Sequence, residues 1–312
     1  MKKLIDNATF QIMGVMFILA LIVSCGTNKT LTNPTARETY QFGREKYDNK
    51  KFIDAIEKFQ SVIYNYPGDA IVDTAQYYLG MSYYHNEDYK LASTEFNRLA
   101  INYPSSPFFE RAIYMKAVAL FESTPDHYGL DQTELYNAID LFEDFLIDFP
   151  ESDQVEGARE HLLAARTRLA KKLYKDGIIY DHIRAYESAK IYFQKVIDDY
   201  TDTKFVPNAT YQLALMEYKL KNYEKARTKF QDFMTVFPNH ELVSDVREKV
   251  VESAFEKCEQ YQNDEDSSRA VPCWEKFRVD FPNSDKYEKA GEYLDEFQQG
   301  KHPEPQEEHA DH

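Results

Sequence analysis

The chain has 312 residues, with 37 basic against 53 acidic side chains, three cysteines, ten glycines and an aromatic content of 15% (24 Tyr, 21 Phe, 1 Trp). A formal charge of -16 excludes a protein whose main task is to coat nucleic acid, because affinity for phosphates comes from clustered Lys and Arg releasing counterions, and it disfavours an anionic membrane surface as the main docking partner. Three cysteines make neither a disulfide-dense scaffold nor a closed all-cysteine zinc site, and glycine use far below the usual ~7% disfavours a Gly-rich phosphate-binding enzyme or a turn-rich all-β fold. What remains is a helical, tyrosine-rich, acidic protein.

In chain order, residues 1–24 read as a signal peptide. Lys2 and Lys3 precede an uncharged apolar run from Ile12 to Val23, which is too short for the ~20 residues of a membrane span. The run ends in Ile22-Val23-Ser24-Cys25-Gly26, which resembles a bacterial lipobox, so Cys25 is the expected lipidated N-terminus. Residues 25–36 are polar and read as a flexible tether. Gly26 is not the aspartate that retains lipoproteins at the inner membrane, and no acidic cluster follows Cys25. The expected location is the periplasmic face of the outer membrane, lipid-anchored.

The rest of the chain repeats itself. Gly43, Tyr47, Phe52, Ala55, Phe59, Tyr66 and Pro67 recur with a period of 37 as Gly80, Tyr84, Tyr89, Ala92, Phe96, Tyr103 and Pro104. The same offsets return in Ala214, Tyr218, Tyr223, Ala226, Phe230, Phe237 and Pro238. Ala117, Phe121, Leu135, Ala138, Phe142, Phe149 and Pro150 follow them with nine extra residues before Leu135. Another unit has Tyr186, Ala189, Phe193 and Tyr200, with one extra residue expected between Tyr180 and Tyr186; a worn sixth shows Ala270, Trp274, Phe281 and Pro282. Apolar spacings of three, four and seven are helical, and the prolines end helices. Small Gly or Ala of the first helix is expected to face small Ala of the second, with Tyr and Phe filling the space between hairpins. A hairpin of this kind cannot bury its apolar face alone, so stacking follows.

This pattern resembles the tetratricopeptide repeat in Leu79-Gly80, in the Tyr-x-x-Ala of the second helix and in the terminal proline, and departs from it in its longer period and in Thr39 and Gln76 where tryptophan is usual. The expected fold is all-α, a right-handed superhelical solenoid of five such hairpins plus a degenerate sixth. Helices are expected at 35–48, 52–65, 70–86, 89–102, 107–122, 133–148, 153–180, 184–199, 204–220, 223–236, 239–261, 267–280 and 284–298. The organisation is then repeats 1–3 over 37–150, repeats 4–5 over 151–240, a C-terminal hairpin and helix over 241–298, and a disordered acidic tail over 299–312.

Nothing points to catalysis: there is no G-x-S-x-G, H-E-x-x-H, Walker or G-x-G-x-x-G motif, and neither a cofactor nor a metal is expected. His309 and His312 read as a solvated pair in the tail. Cys258 and Cys273 lie on successive expected helices at matched distances from their connecting turn, which permits a disulfide; two buried free thiols are the other reading.

In tetratricopeptide folds the first helix of each hairpin lines a concave groove. Transferring that face by repeat position gives Tyr40, Arg44 and Tyr47, then Tyr77, Met81 and Tyr84, then Arg111, Tyr114, Val118 and Phe121. An aromatic groove with two cations suits an extended peptide carrying aromatic side chains and a carboxylate. Inter-repeat packing is the competing role for the same rings.

A lipobox, a polar tether and five such repeats resemble the BamD (ComL) family of outer-membrane assembly lipoproteins. The interrupted third hairpin after Tyr114-Met115-Lys116 and the stretch from Leu169-Ala170-Lys171 to Asp199-Tyr200-Thr201 add to the likeness, which covers about residues 25–240. The resemblance implies a non-catalytic subunit of the β-barrel assembly machinery. Its N-terminal repeats would receive C-terminal segments of unfolded outer-membrane proteins, and its C-terminal repeats would dock on the periplasmic domains of BamA. Another outer-membrane tetratricopeptide lipoprotein, such as a secretin pilotin or a division coordinator, is the alternative. Residues 241–312 extend beyond the family's usual end.

Overall fold

Apolar spacing of three and four, punctuated by proline, produces thirteen α-helices and no strand among the described residues of the computed structural model, which are 34–264 and 266–298. The expected signal peptide, Cys25 and the expected tail from 299 to 312 lie outside them. The helices are α1 (Ala36–Asp48), α2 (Phe52–Asn65), α3 (Val72–His85), α4 (Tyr89–Asn102), α5 (Phe109–Glu122), α6 (Thr133–Asp148), α7 (Val155–His182), α8 (Tyr186–Asp199), α9 (Val206–Lys219), α10 (Tyr223–Val236), α11 (Val243–Asn263), α12 (Ser267–Asp280) and α13 (Tyr287–Gln298). Each packs on its neighbours in sequence, which is the contact pattern of a helical repeat solenoid.

The second helix of every hairpin buries the same triplet. Ala55, Phe59 and Val62 recur as Ala92, Phe96 and Leu99, as Ala138, Phe142 and Phe145, as Ala189, Phe193 and Val196, as Ala226, Phe230 and Phe233, and as Ala270, Trp274 and Phe277. The worn sixth unit therefore keeps the core of the others. In five of the six hairpins a small residue of the first helix stands sixteen residues before the central ring (in the third, Ala117 stands 25 before Phe142), and here the expectation of small facing small needs correction. A Cβ added to Gly43, Gly80 or Gly177 would fall 2.7 Å from Cε1 of Phe59, Phe96 or Phe193, so the ring itself fills the space beside the glycine.

Gly177 also corrects the register of the fourth unit. It stands 37 residues before Ala214 and 16 before Phe193, so no extra residue separates this hairpin's helices. Asp181, not Tyr180, occupies the place of Tyr47 and Tyr84, and it pairs with Lys219. The irregular spacing lies elsewhere, in the 28 residues of α7 and the 21 of α11 against 14 in most other helices. The excesses are whole heptads, which return a helix to nearly the same face with ~20° of drift each, so the apolar stripe survives the insertion.

Two turns connect the units. Within hairpins, Lys50, Glu87, Arg184 and Lys221 adopt φ of 58°, 65°, 60° and 61°. The next residue's N–H closes back on the helix, as Lys51 does on the Lys46 carbonyl at 2.8 Å and Asp88 on Tyr83 at 2.9 Å. This is the Schellman closure, normally given to glycine. Between hairpins, the N–H of Asp69 meets the Tyr66 carbonyl and that of Val72 meets Asp69; Tyr103, Ser106 and Phe109 repeat the arrangement, as do Phe149, Ser152 and Val155. These tandem turns consume the residues after the proline. They are why α3, α5, α7 and α9 each begin two residues later than the sequence pattern implies.

Candidate functional site

The ten residues of the expected groove divide by repeat position. Three places before the small residue stand Tyr40, Tyr77 and Tyr114, and the same place holds Tyr174, Tyr211 and Phe255 in the later hairpins. Each ring tilts against the buried ring of its own hairpin: Tyr40 on Phe59 at 5.8 Å and 49°, Tyr77 on Phe96 at 5.9 Å and 53°, Tyr174 on Phe193 at 5.7 Å and 56°, Tyr211 on Phe230 at 5.9 Å and 51°. All but Tyr211 also meet a ring of the following hairpin, as Tyr77 stacks on Phe108 at 4.5 Å. The Tyr114 hydroxyl lies 3.3 Å from His161 Nδ1, and a Cβ on Gly157 would fall 2.7 Å from that hydroxyl. A geometry held through all the hairpins is a packing device.

Four places after the small residue, a second set repeats. Tyr47 meets Phe52 edge-on at 5.7 Å, Tyr84 meets Tyr89 at 5.4 Å and Tyr218 meets Tyr223 at 5.4 Å. Burial pushes Tyr40, Tyr47 and Tyr84 up to about 12, so their phenols remain neutral hydrogen-bonding groups throughout the physiological range. Tyr77, Tyr114, Val118 and Phe121 are buried, which closes them to a ligand and corrects their place in an open groove. Arg44, Tyr47, Met81 and Tyr84 are half-buried and Arg111 is exposed.

The two cations of this face differ. The Arg44 guanidinium lies 3.9 Å from the centroid of Tyr78 and bonds Asp48 at 3.0 Å, so its plane is already oriented. Arg111 opposes the effect of burial on the Tyr77 phenol and has its charge in water. Tyr78, absent from the expected set, is the ring around which Tyr40, Tyr47 and Phe108 gather. Its signal was the adjacent pair Tyr77-Tyr78, of which only one ring can face a given side of the helix. Thr39 and Gln76, the departures from the usual tryptophan, are buried; Gln76 donates to the Glu95 carboxylate at 2.6 Å, and Glu95 accepts from Arg98 at 2.7 Å.

At the far end, Cys258 stands 16 residues before Trp274, in the position of Gly43 and Gly80. It is bonded to Cys273, with Cα atoms 5.4 Å apart, and Trp274 Nε1 donates to Gln262 at 3.2 Å beside it. No cluster of metal-ligating side chains occurs among the described residues, and none of their helices is long and apolar enough to cross a membrane.

No curated protein matches the chain. Among solved structures it is similar to the complex of the TPR2AB domain of yeast Sti1 with pHSP90, at 13% identity over 85% of this chain and 98% of that one, with a TM-score of 0.37. A tetratricopeptide repeat protein from Parabacteroides merdae is 14% identical over 83% and 97%, with a TM-score of 0.31. A TPR repeats protein from Bacteroides fragilis is 12% identical over 84% and 99%, with a TM-score of 0.35. A tetratricopeptide repeat family matches residues 208–240. The family described as outer membrane lipoprotein, YfiO, matches residues 32–210, from the tether into α9, and neither family match passes residue 240. The chain thus belongs to the YfiO family of BamD-type outer membrane lipoproteins built from tetratricopeptide repeats.

Proposed function

We propose that the chain is a non-catalytic scaffold of the outer-membrane β-barrel assembly machinery, held at the periplasmic face by lipid on Cys25. Hairpins of 37–150 receive C-terminal segments of unfolded outer-membrane proteins, and hairpins of 151–240 dock on the periplasmic domains of BamA. The observation that carries this reading is the family match over residues 32–210, which covers the first group of hairpins and reaches into the second. No cofactor enters it.

On the receiving face the working residues are the accessible ones: Arg44, Tyr47, Met81, Tyr84 and Arg111. Arg111 and Arg44 take a terminal carboxylate through paired N–H donors, and the exposed edges of Tyr47 and Tyr84 meet an aromatic side chain of the segment. Tyr77, Tyr114, Val118 and Phe121 hold the hairpins in register beneath that face, and half-buried Tyr40 is engaged by Phe59 and Tyr78. Titration with a peptide ending in phenylalanine tests the division of labour. Arg44→Ala and Arg111→Ala are expected to weaken binding about tenfold or more each while leaving the helical circular dichroism intact. Unchanged affinity in both variants refutes the assigned face.

A further inference from the structure

The C-terminal hairpin carries a cleft that the assembly reading does not use. It lies between α10, α11 and α12, has a volume of about 370 Å3, and is formed mostly by residues past the last family-matched position. That volume is within the range of ligand sites, ~300–1,000 Å3. In a chain of net charge -16, four cations line it (Arg227, Lys257, Arg269 and Lys276) against two acids, Glu224 and Asp280.

Glu224 accepts from Arg227 Nη2 at 2.8 Å and from Lys257 Nζ at 2.8 Å, which fixes both heads at the mouth of the cleft. Arg227 Nε is nevertheless buried without an acceptor, and Lys276 has no ion-pair partner among the described residues. Lys276 is therefore an open donor for an incoming anion, and Arg227 adds its charge to the same lining. One wall is apolar, from Phe277, Phe281 and the Cys258–Cys273 disulfide, with Tyr261 lying 4.6 Å under the Arg269 guanidinium. Pro272, also in the wall, lacks the N–H that would ordinarily meet the Ser268 carbonyl one turn back. The cleft thus offers donors for a carboxylate, an acceptor for a backbone N–H and an apolar surface between them.

We propose that this cleft binds an extended peptide segment of a partner protein that presents a carboxylate side chain beside an apolar one. Its recognition is independent of the face on hairpins 1–3, so failure here leaves that reading standing. The test is calorimetric titration of the full chain with a blocked Leu-Glu-Leu tripeptide, its Leu-Gln-Leu counterpart and free glutamate. The proposal expects saturable binding of the first, about tenfold weaker binding of the second and none of the third. Arg227→Gln is expected to lower affinity for the acidic probe about tenfold. Lys276→Gln, which disturbs no pair, should lower it several-fold and serves as the variant that leaves packing untouched. Absence of saturable binding, equal affinity for the acidic and amide probes, or unchanged affinity in both variants overturns the proposal.

Discussion

Gly80→Ala adds one methyl group at the place where α3 meets α4. The new Cβ would lie 2.7, 2.8 and 3.0 Å from Cε1, Cδ1 and Cζ of Phe96, against the ~3.5–4.0 Å of an unstrained carbon contact. Phe96 is fully buried and tilts against Tyr77, so its ring cannot swing away without disturbing the next hairpin. Overpacking of this kind costs about 1–3 kcal/mol. The higher helix propensity of alanine returns ~1 kcal/mol. The net expectation is a loss of about 1 kcal/mol, or ~2–4 °C in the melting midpoint for a chain of this size. Gly68→Ala is the control, because nothing lies within 4 Å of its added Cβ. Circular dichroism melts report the midpoint, and amide exchange should show α3 and α4 opening first. A Gly80→Ala protein as stable as the parent, or more so, would mean that propensity outweighs contact and that the ring does not lock the hairpin.

Lys221→Gly places glycine at a φ of 61°, where a side chain costs ~1 kcal/mol, so a raised midpoint is expected and a lowered one refutes the Schellman assignment. Lys190 bonds the buried Glu217 carboxylate at 2.8 Å. Burial pushes that carboxyl up, but the Lys190 and Asn222 hydrogen bonds outweigh it and hold the group below its ordinary value. A depressed folded value stabilises above the unfolded pKa of ~4.3 and is lost as pH falls through the folded one. Lys190→Met should therefore destabilise by about 1–3 kcal/mol at pH 7 and by less as the pH falls below 4.3; a loss independent of pH contradicts the pairing. Reducing the Cys258–Cys273 bond, which closes a separation of 15 residues, should cost about 3 kcal/mol, concentrated in α11 and α12; identical melts with and without reductant exclude it.

The period of 37 made most helices readable, because the apolar triplet and the terminal proline recur with little change. In the fourth unit Tyr180 imitates the recurring tyrosine one place early, while Gly177, the residue that fixes the register, has no aromatic marker. The long helices α7 and α11 were legible too, expected at 153–180 and 239–261, since whole heptads preserve the stripe that periodicity detects. The groove was ambiguous for a physical reason: rings that pack between hairpins and rings that face a ligand share the same helical spacing. Only the tilt repeated from Tyr40 to Tyr211 separates them. The left-handed turns at Lys50, Glu87, Arg184 and Lys221 carry no glycine to announce them. The cleft at the C-terminal hairpin is assembled from three helices between Glu224 and Phe281, a distance over which sequence pattern is silent.

Affinity purification of the chain from detergent-solubilised outer membranes bears most directly on the proposed role in β-barrel assembly. BamA is expected in stoichiometric amounts, and is expected to be lost when residues 151–240 are replaced by hairpins of an unrelated tetratricopeptide protein. Recovery of a secretin or of envelope-division proteins without BamA would contradict that role.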